Sequence, residues 1–216
     1  MPVASGGYPE YSIKKTRIQA KIMTNEKTQD GLNAILKQIE GQKHPPVHLW
    51  NPDFCGDLDI RIARDGTWYY LGSPIGRKPL VRLFSGVLRY DDDGRYYLVT
   101  PVEKIGITVE DVPFIAVEMF VEGKGRERVI SFRTNVDDFV IVDEAHPFRL
   151  EIDPETKEPS PYVRVRANLD ALINRPVFYD LVNLAEEENI DREARFGFWS
   201  SGQFFELGLV DDIFGK

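Results

Sequence analysis

Four residues able to hold an oxyanion lie within one short span of this chain. Ser73, Arg77, Lys78 and Arg82 are interleaved with Pro74, Gly76 and Pro79. Arginine offers a planar fork of donors, lysine a point charge, and glycine lets backbone amides approach a ligand closely. Capture of a phosphate or carboxylate is the chemistry such a loop can do. The same segment also reads as a solvated connection whose charges balance nearby acids, because 27 basic residues face 35 acidic ones.

A second group relies on rings. Arg61 is expected opposite Tyr70 and diagonal to Trp68, with Asp59 on the same face. A guanidinium over aromatic rings makes a platform for a flat ligand, and a cation–π contact contributes roughly 0.5–2 kcal/mol. The alternative is a covered face whose members satisfy one another. Trp50-Asn51-Pro52-Asp53 is a third candidate, as a recognition corner with the indole as anchor or as a plug at the end of a barrel.

The remaining reactive side chains lack the spacing their chemistries need. His44 and His48 are four apart, but Pro45-Pro46 between them forbids the helix that would align them. Cys55 has no evident orienting base. From Asp91, the twelfth position of a calcium loop falls on Val102 and its glycine comes early. Walker A, dinucleotide and G-x-S-x-G patterns are missing. Asp57, Asp59 and Glu103 offer carboxylates for a hydrolase, though spacing alone does not bring them together. The expectation is a non-enzymatic protein with no metal and no cofactor.

These candidates need elements to position them. Asp65-Gly66 and Asp93-Gly94 sit between alternating apolar and polar residues, the strongest short-range hairpin signal. As two-residue turns they pair Ile60 with Leu71 and Ile62 with Tyr69, then Leu88 with Val99 and Tyr90 with Tyr97. Residues 73–79 read as a loop and Leu80–Phe84 as the lead into a strand. Leu32, Ile35, Leu36 and Ile39 mark one face of a short helix, with Gly41 as its stop. Strands follow at 114–121, 128–133, 139–142, 148–152 and 162–166. Asn168 is expected to cap a helical turn and Pro176 to begin a longer helix carrying Phe178, Leu181 and Val182 on one face. A last hairpin turns at Ser201-Gly202.

With 216 residues, one or two domains fit. The reading is a loosely ordered segment at 1–28, a helix and first β-rich domain at 29–112, and a second β domain at 113–216. The two halves share one grammar of strand, turn and strand, which suggests a structural repeat. The net charge of −8 argues against broad nucleic-acid binding. Cys55, the single cysteine, excludes an internal disulfide. No apolar run approaches the ~18 residues of a spanning helix, so a cytoplasmic protein that avoids the membrane is expected.

Several segments form a joint pattern: Leu49-Trp50-Asn51-Pro52, Asp59-Ile60-Arg61-Ile62, Asp65–Tyr70, Gly72-Ser73-Pro74-Ile75, Leu80–Phe84 and Tyr97–Lys104. Together they resemble bacterial domain-of-unknown-function family 1285 over about residues 30–205. The resemblance implies a duplicated β-rich core, a pleckstrin-homology-like C-terminal domain, a ligand surface near the domain interface, and a role in signal transduction. It brings no catalytic activity.

The combined expectation is an α+β protein of two small antiparallel β-rich domains, the second a pleckstrin-homology-like barrel capped by a helix, plus a short N-terminal helix. It takes a small anionic molecule through Trp50, Arg61, Trp68, Tyr70, Ser73, Arg77, Lys78 and Arg82. The alternative is an adaptor that binds a protein partner through a strand edge or helix groove.

Overall fold

Alternating apolar residues and tight glycine turns build two six-stranded sheets with one strand order. A computed structural model describes residues 45–209, so the segment at 1–28 and the helix expected at 30–39 lie outside the described residues. The first sheet comprises β1 (Phe54–Ile62), β2 (Trp68–Tyr70), β3 (Ser73–Pro74), β4 (Leu88–Tyr90), β5 (Tyr96–Val99) and β6 (Lys104–Val109), in the order β3-β2-β1-β6-β5-β4. Helix α1 (Lys78–Gly86) connects β3 to β4. The second sheet comprises β7 (Phe114–Glu122), β8 (Val129–Thr134), β9 (Phe139–Ile141), β10 (Phe148–Ile152), β11 (Pro159–Arg166) and β12 (Leu169–Ile173). Its order is β9-β8-β7-β12-β11-β10.

Each sheet joins two antiparallel meanders through one parallel pair at its centre, β1 with β6 and β7 with β12. The likeness reaches single residues. Arg89 pairs with Tyr97 between β4 and β5, and Arg149 with Tyr162 between β10 and β11. The neighbouring pairs, Leu88 with Leu98 and Phe148 with Val163, are buried in both. The architecture is therefore duplicated.

The halves differ in their helices. The second has a short turn where the first has α1, and its helix α2 (Arg175–Val182) follows the last strand instead. A third sheet of β13 (Glu186–Ile190), β14 (Glu193–Ser200) and β15 (Gln203–Leu209) closes the described chain. Helix α2 packs on β7 and β14, and where this sheet meets the second one Phe148 meets Phe198 edge to face while Phe198 stacks on Phe205. The second sheet curls until β9 approaches β11, yet β9 and β10 remain its unjoined edges. It is a half-barrel rather than the closed barrel expected, since closure requires both edges to be hydrogen-bonded.

Three further expectations change. Both Asp-Gly turns contain three residues, not two. Gly66 N–H donates to the Ala63 carbonyl and Gly94 N–H to that of Asp91, with φ of +80° and +77° at the glycines. A type I turn ending in a left-handed glycine adds one residue and shifts the register by one. Arg61 therefore pairs with Tyr69, and Ile62 with Trp68. This moves Trp68 from the polar face into the core, where it is 1% exposed. Residues 80–84 are helical: Leu80, Val81, Leu83 and Phe84 have the spacing of a helix face, and Pro79 suits the first turn. Asn168 caps no helix; it lies between two strands and donates to the Tyr90 carbonyl at 3.0 Å.

One apolar core runs through both halves, from Ile60, Trp68 and Leu98 to Phe114, Phe132, Val163 and Phe198. Polar links cross the seam beside it. Arg166 of β11 donates to Asp138 at 2.6 Å and to the Ser85 carbonyl of α1 at 2.6 Å, with its guanidinium 4.8 Å from the Phe114 ring. Asn135 reaches the Gly66 carbonyl at 3.3 Å and accepts from the Ile115 amide at 3.1 Å.

Two substitutions test this seam. A Cβ on Gly66 would lie 2.6 Å from Asn135 Nδ2 and 2.7 Å from Ile115 Cγ1. Gly66→Ala should therefore destabilise by about 1–3 kcal/mol in urea unfolding, strain included. Arg166→Leu strips Asp138 of its guanidinium and should cost about 2–4 kcal/mol, the low side for a pair that keeps some solvent contact. An unchanged midpoint for either variant would contradict the packing described.

Candidate functional site

The turn at Gly66–Trp68, the segment Ile75–Arg82 and the loop at Asn135–Val136 enclose a cavity of about 230 Å3. Its walls come from both halves of the molecule. Trp68, Lys78 and Arg82 line it, and Arg77 is the N-cap residue of α1 beside it. The helix start adds a partial positive charge at that rim. Trp68 stacks on Phe84 with ring centroids 6.1 Å apart, and its indole N–H is buried without an acceptor. Such a group normally finds a partner.

The other sequence-derived candidates lie elsewhere. Tyr70 and Ser73 pair with each other across β2 and β3 and are exposed. Arg61 sits 4.3 Å over the Tyr69 ring and forms an ion pair with Glu110. Trp50 is half-buried against the core, and its carbonyl accepts from Arg89 at 2.7 Å. Gly66, Asn135 and Val136 are wall residues that sequence reasoning missed. The left-handed glycine was visible as turn chemistry, but nothing in the sequence signals that Asn135 meets it.

Most charges around the cavity are already paired. Arg82 holds Asp137, which also accepts from Arg133 at 2.7 Å. Asp57 pairs with Arg95, Asp91 with Arg89 and Lys104, and Asp138 with Arg166, so the acidic clusters serve as counter-ions. Among the described residues, the basic side chains that make no hydrogen bond, ion pair or ring contact are Arg77, Lys78, Lys124, Lys157 and Arg192. Two of those five are adjacent and stand at the start of α1.

A duplicated α+β protein with paired six-stranded sheets and a cationic cavity at their junction is the class these observations define. The chain belongs to the DUF1285 family. The model described as "Domain of unknown function (DUF1285), N-terminal domain" matches residues 45–112, and "Protein of unknown function (DUF1285), C-terminal domain" matches residues 113–207. A crystal structure of a DUF1285 family protein from Silicibacter pomeroyi DSS-3 is 53% identical with a TM-score of 0.74, covering 80% of this chain and 91% of that one. Another, from Shewanella baltica OS155, is 26% identical with a TM-score of 0.45, covering 57% and 90%. No curated protein matches the chain. Among the described residues no helix is long and apolar enough to cross a membrane.

Acid should loosen the first half in a defined direction. The Glu110 carboxyl is held below its ordinary value of 4.5 by the Arg64 backbone N–H and then by Arg61. Burial pushes the Asp91 carboxyl up, but the combined bonds from Arg89 and Lys104 outweigh it and leave it lowered. Carboxyls depressed in the folded state contribute stability that is full above their unfolded values and disappears as pH falls through the folded ones. Urea midpoints should be level above about pH 5 and drop below about pH 4. Glu110→Gln should make the drop shallower; an equally steep fall in that variant would remove Glu110 from the account.

Proposed function

We propose that this protein is a non-enzymatic binding or sensor module that captures a small oxyanion in the cavity between its halves. The observation that carries this reading is the adjacent pair Arg77 and Lys78, both without a counter-ion although acidic residues are in excess. Cations without a counter-ion at a helix start keep their donors available to an anion. Arg82 joins such an anion only by sharing itself with Asp137. Ligand contact therefore bears on a link between the two halves, which suits a cytoplasmic signalling role. In this reading the half-barrel with α2 is the pleckstrin-homology-like unit that the family resemblance implies.

A second reading, a protein-interaction adaptor, is favoured by one observation. Phe120, Phe139 and Ile141 are exposed on one face beside the short edge strand β9, where a partner strand or apolar surface can dock.

Inorganic phosphate, titrated calorimetrically against the full chain, tests the anion reading. The parent should bind it, and Lys78→Glu and Arg77→Glu should each weaken binding by about tenfold or more. Both side chains are exposed and unpartnered and stand at a helix start that favours glutamate, so unfolding midpoints should not fall. Equal binding by the Arg77→Glu/Lys78→Glu double variant would overturn the proposal.

A further inference from the structure

A larger cleft lies away from the seam cavity and shares no lining residue with it. About 570 Å3 of space opens where the start of β11, the end of β12 and the first turn of α2 meet, with Arg64 of the β1–β2 turn at its edge. This is inside the roughly 300–1,000 Å3 range of small-molecule sites. A bare ion would leave most of it empty.

Charge and apolar surface both line this cleft. Arg64, Lys157 and Arg175 are its cations, and Glu158 is its one carboxylate. Glu158 accepts from Arg175 at 3.0 Å, and Arg64 donates to Ser160 Oγ at 3.1 Å and pairs with Asp111 at 3.3 Å. Lys157 has no side-chain partner. It is nevertheless held in place: its amide donates to the Asp153 carbonyl at 2.9 Å, and the Asp153 carboxylate accepts from Glu155 and Thr156 in the same turn. Lys157 adopts φ of +61°, a conformation that favours glycine. An unpaired lysine thus occupies a fixed, mildly strained turn at the mouth of a cleft. The opposite character comes from Pro161, the buried Phe178 and Tyr179, a residue that is 61% exposed and makes no ring contact.

We infer that this cleft is a second binding site, for an organic phosphate that carries a flat apolar ring and is about the size of a mononucleotide. Its oxyanion meets Lys157, and Arg175 joins only by sharing itself with Glu158, next to the start of α2. Its ring lies on Tyr179 and Pro161. The inference goes beyond the seam reading and stands without it, because the two sites use different cations.

The test uses adenosine 5′-monophosphate, adenosine and inorganic phosphate as probes, titrated into the full-length Arg77→Glu/Lys78→Glu protein so that the seam cavity is disarmed. The monophosphate should bind at least about tenfold tighter than either fragment, because both ends of the cleft are engaged. Lys157→Gly removes the ammonium while suiting the left-handed backbone, so the protein should fold at least as well as its parent. It should weaken the monophosphate about tenfold. Tyr179→Ala should weaken the monophosphate and adenosine but leave phosphate unchanged. The site assignment falls if the monophosphate binds no tighter than phosphate, if it shows no binding up to about 10 mM, or if Lys157→Gly has no effect. A failed seam reading would appear separately, as phosphate binding indifferent to the Arg77→Glu/Lys78→Glu double substitution.

Discussion

The arrangement of the two halves depends on where one guanidinium is satisfied. Arg166 leaves the second sheet, takes the Asp138 carboxylate, donates to the Ser85 carbonyl of α1 and lies over Phe114 at the start of β7. Burial alone lowers its tendency to stay charged, and Asp138 acts against that. A charge in this position is tolerated only with its bonds made. The geometry that makes them also sets α1 against the second half, and with it the wall of the cationic cavity.

Duplication explains why such a seam exists at all. Each half ends its two meanders on a central parallel pair, so its first and last strands lie side by side. The last strand of the first half therefore passes through a short connection directly into the first strand of the second. Both sheets present apolar faces toward one core, and charged side chains are left at the junction and on the outer faces. There most of the described guanidiniums find a carboxylate, while the excess acids leave many carboxylates without a cation. With carboxylates in excess, the few cations left unpaired are informative, since they contribute nothing to the local ion-pair network.

The sequence was read correctly where local chemistry decides the outcome. Ser201-Gly202 forms the expected tight turn, with φ of +53° and +76°, because both central residues of that turn type need positive φ. Pro176 lies in the first turn of α2 as expected, and Asn174, which the sequence reading did not single out, caps that helix through the Val177 N–H. Reading failed where two local solutions compete. An Asp-Gly pair fits a two-residue or a three-residue loop, and the choice shifts every facing residue by one. That single ambiguity placed Trp68 on the wrong face. The run Leu80–Phe84 suits a strand by composition and a helix by spacing, and docking on the core selected the helix. The acidic strand β13 carries no apolar alternation, so pairing with β14 alone identifies it.

For the candidate site, the sequence by itself supplied the cations at 77 and 78 and the flanking glycine and prolines, because residue type and proximity along the chain are local properties. Only the tertiary structure decided that Arg61 and Arg82 are held by Glu110 and Asp137, that Asn135 and Val136 complete a wall, and that Lys157 and Arg175 share a second cleft with Arg64. Those facts depend on contacts between residues dozens of positions apart. Their partners are chosen by how two sheets pack, and that packing is a property of the whole core rather than of any segment.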